Sequence, residues 1–174
     1  MATEGYEKLV KDLKKLRLGS IAEMLDSYAK QAVSSNMTYL DFLELLVTEE
    51  VRYKDRRGVE NRIRGARFPV IKSLNDFDYS HNGSINKRKL EEISNLRFID
   101  NKENVMFLGP PGVGKTHLAV GLGVKACETG YKVLFTTLND MVCVLMSSMA
   151  DNSLTSKLRM YVLPSLLIID EVGY

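Results

Sequence analysis

Lys115 and Thr116 close the stretch GPPGVGKT at residues 109–116, and Asp170 and Glu171 follow the apolar run LLII at residues 166–169. The first stretch satisfies G-x-x-x-x-G-K-[ST] in full. It lies between the apolar run Val105–Leu108 and the helical HLAVGLGVKACE, the strand–loop–helix context the motif requires. Glycines let the backbone curl so that successive N–H groups converge on phosphate oxygens at the positive end of a helix. Gly109, Pro110, Pro111, Gly112, Val113 and Gly114 would then form the cradle. Lys115 would reach the β- and γ-phosphates, and the Thr116 hydroxyl would ligate Mg²⁺. The alternative is a chance glycine-rich turn, against which the flanking patterns argue.

The two acids take their meaning from this loop. Asp170 comes 55 residues after Lys115, at the end of a run that reads as interior strand. An acid so placed suits the holding of Mg²⁺, directly or through water, and Glu171 beside it suits a base that orients and deprotonates an attacking water. Acids that only cap a following helix are common, but paired with GPPGVGKT these two favour an ATP-hydrolysing P-loop enzyme. A phosphate-transferring kinase has less use for a glutamate beside the metal aspartate. Three lesser features have two readings each. His117 either approaches the nucleotide or lies on the helix surface. Asn139 and Asp140 either border the site or open an ordinary helix. Met141, Met146 and Met149 have roughly helical spacing and are expected to pack.

The elements that must position these residues read in two styles. The first half is helical. Leu9, Leu13 and Leu16 recur at helical spacing with Gly19 as the expected stop, and Ile21, Met24, Leu25 and Tyr28 repeat the pattern. A third helix opens at Thr38, with Asp41 completing a capping box. Leu40, Leu43, Leu46 and Val47 line its apolar face, and Gly65 and Pro69 end it. Residues 70–85 carry Asn-Gly and Asp/Ser turn signals and read as a linker, and NKRKLEEISNL as a short helix. From about residue 101 short apolar runs alternate with helical stretches, the signature of a parallel sheet with crossover helices.

Bulk properties exclude several classes. No run of eighteen apolar residues exists, and MATEGYEKLVKDLKKLRLGS has no apolar core of a secretory signal. No membrane partner is expected. Cys127 and Cys143 form no CxxC, and His81 and His117 have no ligand-spaced companions, so a reducing cytoplasm is the plain reading. The formal charge of +2 hides a basic stretch: residues 52–72 hold eight Lys and Arg against Asp55 and Glu60. Arg56, Arg57, Arg62, Arg64 and Arg67 are the candidate contacts to a DNA backbone. A solvated helix face is the competing explanation of that run.

GPPGVGKTHLAVGLG, GYKVLF, LLIIDEVGY, ARFPVIKSLNDFDYS and LRFIDNKENVMFLGPPG together resemble the IstB-type transposition helper ATPases, relatives of the DnaC-type helicase loaders in the AAA+ group. The resemblance runs from about Leu13 to Tyr174. It implies an α/β protein with an N-terminal all-α helical domain followed by a partial P-loop AAA+ domain, a parallel sheet with flanking helices. Residues 1–69 would be the DNA-binding and assembly domain, 70–100 a linker and lead-in helix, and 101–174 the ATP-binding part. Lys115 and Thr116 take the Walker A roles, and Asp170 and Glu171 the Walker B roles. The implied ligands are ATP and Mg²⁺. The implied partners are double-stranded DNA, a transposase and further copies of the chain.

Members of that family continue past the acids with a sensor strand, an arginine finger and a helical lid. The expectation is therefore a shortened version of a longer protein. In AAA+ sheets the phosphate-loop strand lies between the fourth and fifth strands, neither of which is present here. Val105–Leu108 is thus expected to lack both neighbours, leaving several N–H and C=O groups unsatisfied at roughly 1–3 kcal/mol each. Competing expectations are a helicase-loader-like chaperone that grips another protein, a remnant without ATPase activity, and a complete small kinase. In the kinase the strand carrying the acids would neighbour the phosphate-loop strand.

Overall fold

The computed structural model describes residues 2–77 and 87–173, and the chain divides into two units at Gly58 and Val59. The Asn82-Gly83 turn signal lies outside the described residues.

In the first unit, α1 (Ala2–Lys15) and α2 (Gly19–Ser34) are joined by a short turn. α1 ends ahead of Gly19. Arg17 adopts the left-handed region at φ +58, and the Leu18 N–H reaches back to the Leu13 carbonyl at 2.9 Å. That 6→1 bond closes the helix without a glycine. Gly19 instead opens α2, whose Ile21, Ala22 and Leu25 are buried while Met24 is exposed. The first turn of α2 has no local side-chain cap. Its Ile21 N–H donates to Oε2 of Glu50, a residue only 4% exposed, at 3.1 Å. Glu50 comes from α3 (Tyr39–Ala66), so a distant carboxylate serves one of the orphan donors of a helix start.

α3 begins as its sequence indicates. The Thr38 N–H donates to Asp41 Oδ2 at 3.1 Å, and the Asp41 N–H donates to Thr38 Oγ1 at 3.2 Å. The Thr38 hydroxyl bond lowers the Asp41 pKa, with a smaller contribution from the backbone bond. The apolar face is less buried than its spacing suggests. Leu40, Leu43, Val47 and Val51 are all more than half exposed, and Leu46 is half-buried.

The second unit takes in the last turns of α3. A single 3₁₀ turn (Leu74–Asp76) and the helices α4 (Lys87–Ser94) and α5 (Arg97–Asp100) precede the phosphate loop. Then come α6 (Lys115–Glu128), β1 (Val133–Thr137), α7 (Leu138–Ala150), α8 (Leu154–Val162) and β2 (Leu166–Asp170). β1 and β2 pair in parallel, Val133 opposite Leu166 and Thr137 opposite Asp170. α6 packs on this pair and is buried on nearly all sides, including Leu118, Val120, Leu122, Val124, Ala126 and Cys127. Gly123 permits the close approach: a Cβ there would lie 2.7 Å from Phe68 and 2.8 Å from Ile168. β2 is covered on one side only, with Ile168 buried and Ile169 exposed.

The segment before the phosphate loop, which the sequence reads as a strand, forms none and pairs with neither β1 nor β2. Phe107 packs against the core, whereas Met106 and Leu108 are 78% and 85% exposed. A groove of about 330 Å³ lies beside it, lined by Leu90, Ile93, Val105, Phe107, Pro110 and Val113 among others. Among the described residues the segment has no strand partner, as expected for Val105–Leu108. β2 pairs with β1 rather than with this segment, which is not the kinase arrangement. The described part is an N-terminal set of helices followed by a small parallel sheet with flanking helices, a partial P-loop AAA+ domain.

Candidate nucleotide site

The phosphate loop turns into α6 at Gly114, which sits at φ +90 in the left-handed region. A side chain there would be strained twice, because a Cβ would also lie 2.6 Å from the Phe77 ring. Lys115 begins the helix and folds back over the loop. Its Nζ donates to the Gly109 carbonyl at 2.8 Å and the Pro110 carbonyl at 2.9 Å. The ammonium is thus held at the loop, where an incoming phosphate would exchange with those two carbonyls. Gly109, Pro110, Pro111 and Gly112 are exposed, and Val113 and Gly114 half-buried.

Thr116, in the first turn of α6, donates its hydroxyl to Asp170 Oδ2 at 2.7 Å across 54 positions of sequence. The β1–β2 register ends at Asp170, so the carboxylate leaves the sheet where α6 begins. Two adjacent ligands of an octahedral magnesium, each at about 2.0–2.1 Å, stand roughly 2.9 Å apart. The hard oxygens of Thr116 and Asp170 therefore fit such an ion with little movement. Among the described residues no group of three His, Cys, Asp or Glu side chains could hold a metal. Magnesium bound through one or two protein oxygens with phosphates and water does not need one. Glu171 follows immediately, exposed, at φ +58, which is uncommon for a residue with a side chain.

His117 does not lie on an open helix surface. It is half-buried, its Nε2 lies 2.9 Å from the Ser73 carbonyl, and its ring meets Phe77 edge-on at 5.2 Å. Asp140 stands at an ordinary helix start, its N–H donating to Thr137 Oγ1 at 3.1 Å. Met146 and Met149 face outward, about two-thirds exposed, against the expectation that they pack. Sequence reasoning missed Phe77 and Ser73. The S-x-x-D spacing of Ser73 and Asp76 is a legible capping box, and both of its bonds form.

The five arginines proposed for DNA differ in freedom. Arg56 and Arg64 are exposed and make no hydrogen bond or ion pair among the described residues. Arg57 lies over the Tyr53 ring at 5.6 Å and donates to its hydroxyl at 3.1 Å. Arg67 makes a 3.8 Å contact to the Met160 sulfur. Arg62 is half-buried, and its Nε donates to the Cys127 carbonyl at 2.7 Å, in the last turn of α6.

Among the described residues no helix is long and apolar enough to cross a membrane. The family model described as IstB-like ATP binding protein matches residues 11–174. A protein named for ATP binding in insertion sequence IS5376 of Geobacillus stearothermophilus is 40% identical over 160 residues, which cover 92% of this chain and 64% of that relative. One from IS21 of Pseudomonas aeruginosa is 37% identical over 162 residues, 93% of this chain and 61% of the relative. A third, from IS232 of Bacillus thuringiensis subsp. berliner, is 32% identical over 98% of this chain and 68% of its own length. The chain thus spans a little over three-fifths of the first two relatives. With the phosphate loop, its helix and the strand-end acids all inside the matched residues, the chain belongs to the IstB-like ATP-binding protein family.

Proposed function

We propose that this chain is a cytoplasmic ATP-binding AAA+ helper of DNA transposition. In this reading it binds duplex DNA and couples ATP binding and hydrolysis to assembly with further copies and recruitment of a transposase. The observation that carries the nucleotide part is the 2.7 Å bond from Thr116 to Asp170, which puts a hydroxyl and a carboxylate together beside the phosphate loop. Lys115 holds the outer phosphates, and the loop N–H groups surround them. Thr116 and Asp170 hold Mg²⁺, which when bound neutralises phosphate charge. Glu171, exposed at the strand end, accepts the proton of an attacking water. The transposition part rests on the insertion sequences for which the relatives are named.

A second reading, a loader-like chaperone that grips another protein, is favoured by the exposed face of Leu40, Leu43, Val47 and Val51. Contiguous apolar surface of this kind marks protein contacts more often than DNA contacts.

The test is titration of the purified chain with a fluorescent ATP analogue and Mg²⁺, beside Lys115→Ala and Glu171→Gln. Saturable binding lost in Lys115→Ala and kept in Glu171→Gln is expected. Binding indifferent to Lys115 would sink the proposal.

A further inference from the structure

The Leu74–Asp76 turn is docked on the start of α6 by contacts that the phosphate chemistry does not use. Its own geometry is fixed by Ser73: the Ser73 hydroxyl accepts from the Asn75 N–H at 3.2 Å, and Asp76 accepts from the Ser73 N–H at 3.3 Å. At the phosphate-loop end the Phe77 ring fills the space a Cβ on Gly114 would need. Phe77 is 7% exposed and packs with Leu90 and Leu118. His117, three residues into α6, then bonds the Ser73 carbonyl and meets the Phe77 ring. A carbonyl only accepts, so His117 Nε2 carries the proton and donates. One turn further on, Gly121 admits Leu74: a Cβ there would lie 2.7 Å from the Leu74 side chain and 3.1 Å from its backbone nitrogen.

A loop of glycine and proline loses much conformational freedom when it closes on phosphates, and anchoring its last residue beforehand reduces that loss. We infer that His117 is a positioning residue. With Phe77 it clamps the Ser73–Phe77 turn against Gly114, holding the phosphate loop ready for its ligand and coupling the loop's occupancy to that turn. The coupling rests on the nucleotide-binding reading; the clamp itself does not.

Two substitutions separate donor from bulk. His117→Gln can place an amide N–H near the position of Nε2, whereas His117→Leu keeps volume and loses the donor. Hydrogen exchange at residues 73–77 and 112–114, affinity for the fluorescent ATP analogue with Mg²⁺, and thermal melting would be read together. In the wild type and in His117→Gln, nucleotide should slow exchange at residues 73–77. His117→Leu should exchange faster in both segments without nucleotide, bind roughly tenfold more weakly, as loss of one hydrogen bond implies, and melt near the wild-type temperature. A His117→Leu variant with wild-type affinity and unchanged exchange at residues 112–114 overturns the inference. Should His117→Leu fail to fold, Phe77→Leu takes its place, with the same two outcomes. A wild-type chain that binds no nucleotide defeats the nucleotide reading alone, because exchange without nucleotide still decides the clamp.

Discussion

The Thr116 hydroxyl and the Asp170 carboxylate share a 2.7 Å hydrogen bond that ties the first turn of α6 to the end of β2. The same two oxygens are those a magnesium ion would use, and the hydroxyl can keep donating its proton to the carboxylate while a lone pair of its oxygen faces the ion. Asp170→Asn keeps an acceptor for Thr116 but removes the charge that attracts the metal. Wild-type affinity for the ATP analogue should rise on replacing EDTA with Mg²⁺ by roughly tenfold or more, equivalent to about 1.4 kcal/mol. Asp170→Asn should bind equally in both buffers. A variant that keeps the magnesium response would remove Asp170 from the metal site.

Glu50 is a different kind of acid, buried among the helices of the first unit. Oε2 takes the Ile21 N–H, while Oε1 has no hydrogen-bond partner among the described residues and lies 3.8 Å from the Lys54 ammonium. Glu50→Ala leaves the start of α2 without its acceptor and should cost about 1–3 kcal/mol in urea unfolding. Glu50→Gln preserves an oxygen for Ile21 and should cost less. If both variants unfold at the wild-type midpoint, the tertiary cap is not holding α2.

What could be read beforehand follows from how local each signal is. GPPGVGKT and the Thr38–Asp41 box are short patterns whose bonds form within a few residues, and both are found as spelled. The family's strand order led to an expectation that Val105–Leu108 would lack a partner, and among the described residues it pairs with no strand. Long-range contacts left no such trace. Nothing in the sequence says that Glu50 caps a helix 29 residues away, or that His117 faces Ser73 across 44. Periodicity also overstated burial. Leu40, Leu43 and Val47 have core spacing, yet each is more than half exposed. The stop of α1 was misplaced because a left-handed Arg17 does what Gly19 was expected to do.

The two thiols should behave oppositely. Cys143 is exposed, whereas burial pushes Cys127 up to about 11, against a smaller pull downward from Arg62. A thiol reagent at neutral pH should label Cys143 quickly and Cys127 only after unfolding. The folded value lies above the ordinary 9.0. Between about pH 9 and 11 the unfolded chain therefore loses a proton that the folded chain keeps, and stability falls as pH rises through that window. Cys127→Ala should lessen the fall. Equal labelling of both thiols in the folded chain would contradict the burial.

The DNA proposal needs variants that separate charge from structure, and the arginines differ in that respect. Arg62 holds the Cys127 carbonyl at 2.7 Å, so Arg62→Glu should lower stability by about 1–3 kcal/mol and would confound any weakening of DNA binding. Arg56 and Arg64 are exposed and without partners among the described residues. Reversing both should move stability by no more than about 0.5 kcal/mol. If they touch phosphates, affinity for duplex DNA should fall alike for unrelated sequences, and the salt slope should shrink by about one for each phosphate no longer neutralised. Wild-type affinity with an unchanged slope would mean that the basic stretch is a solvated face. The exposed apolar residues of α3 would then make a protein partner the better account of the first unit.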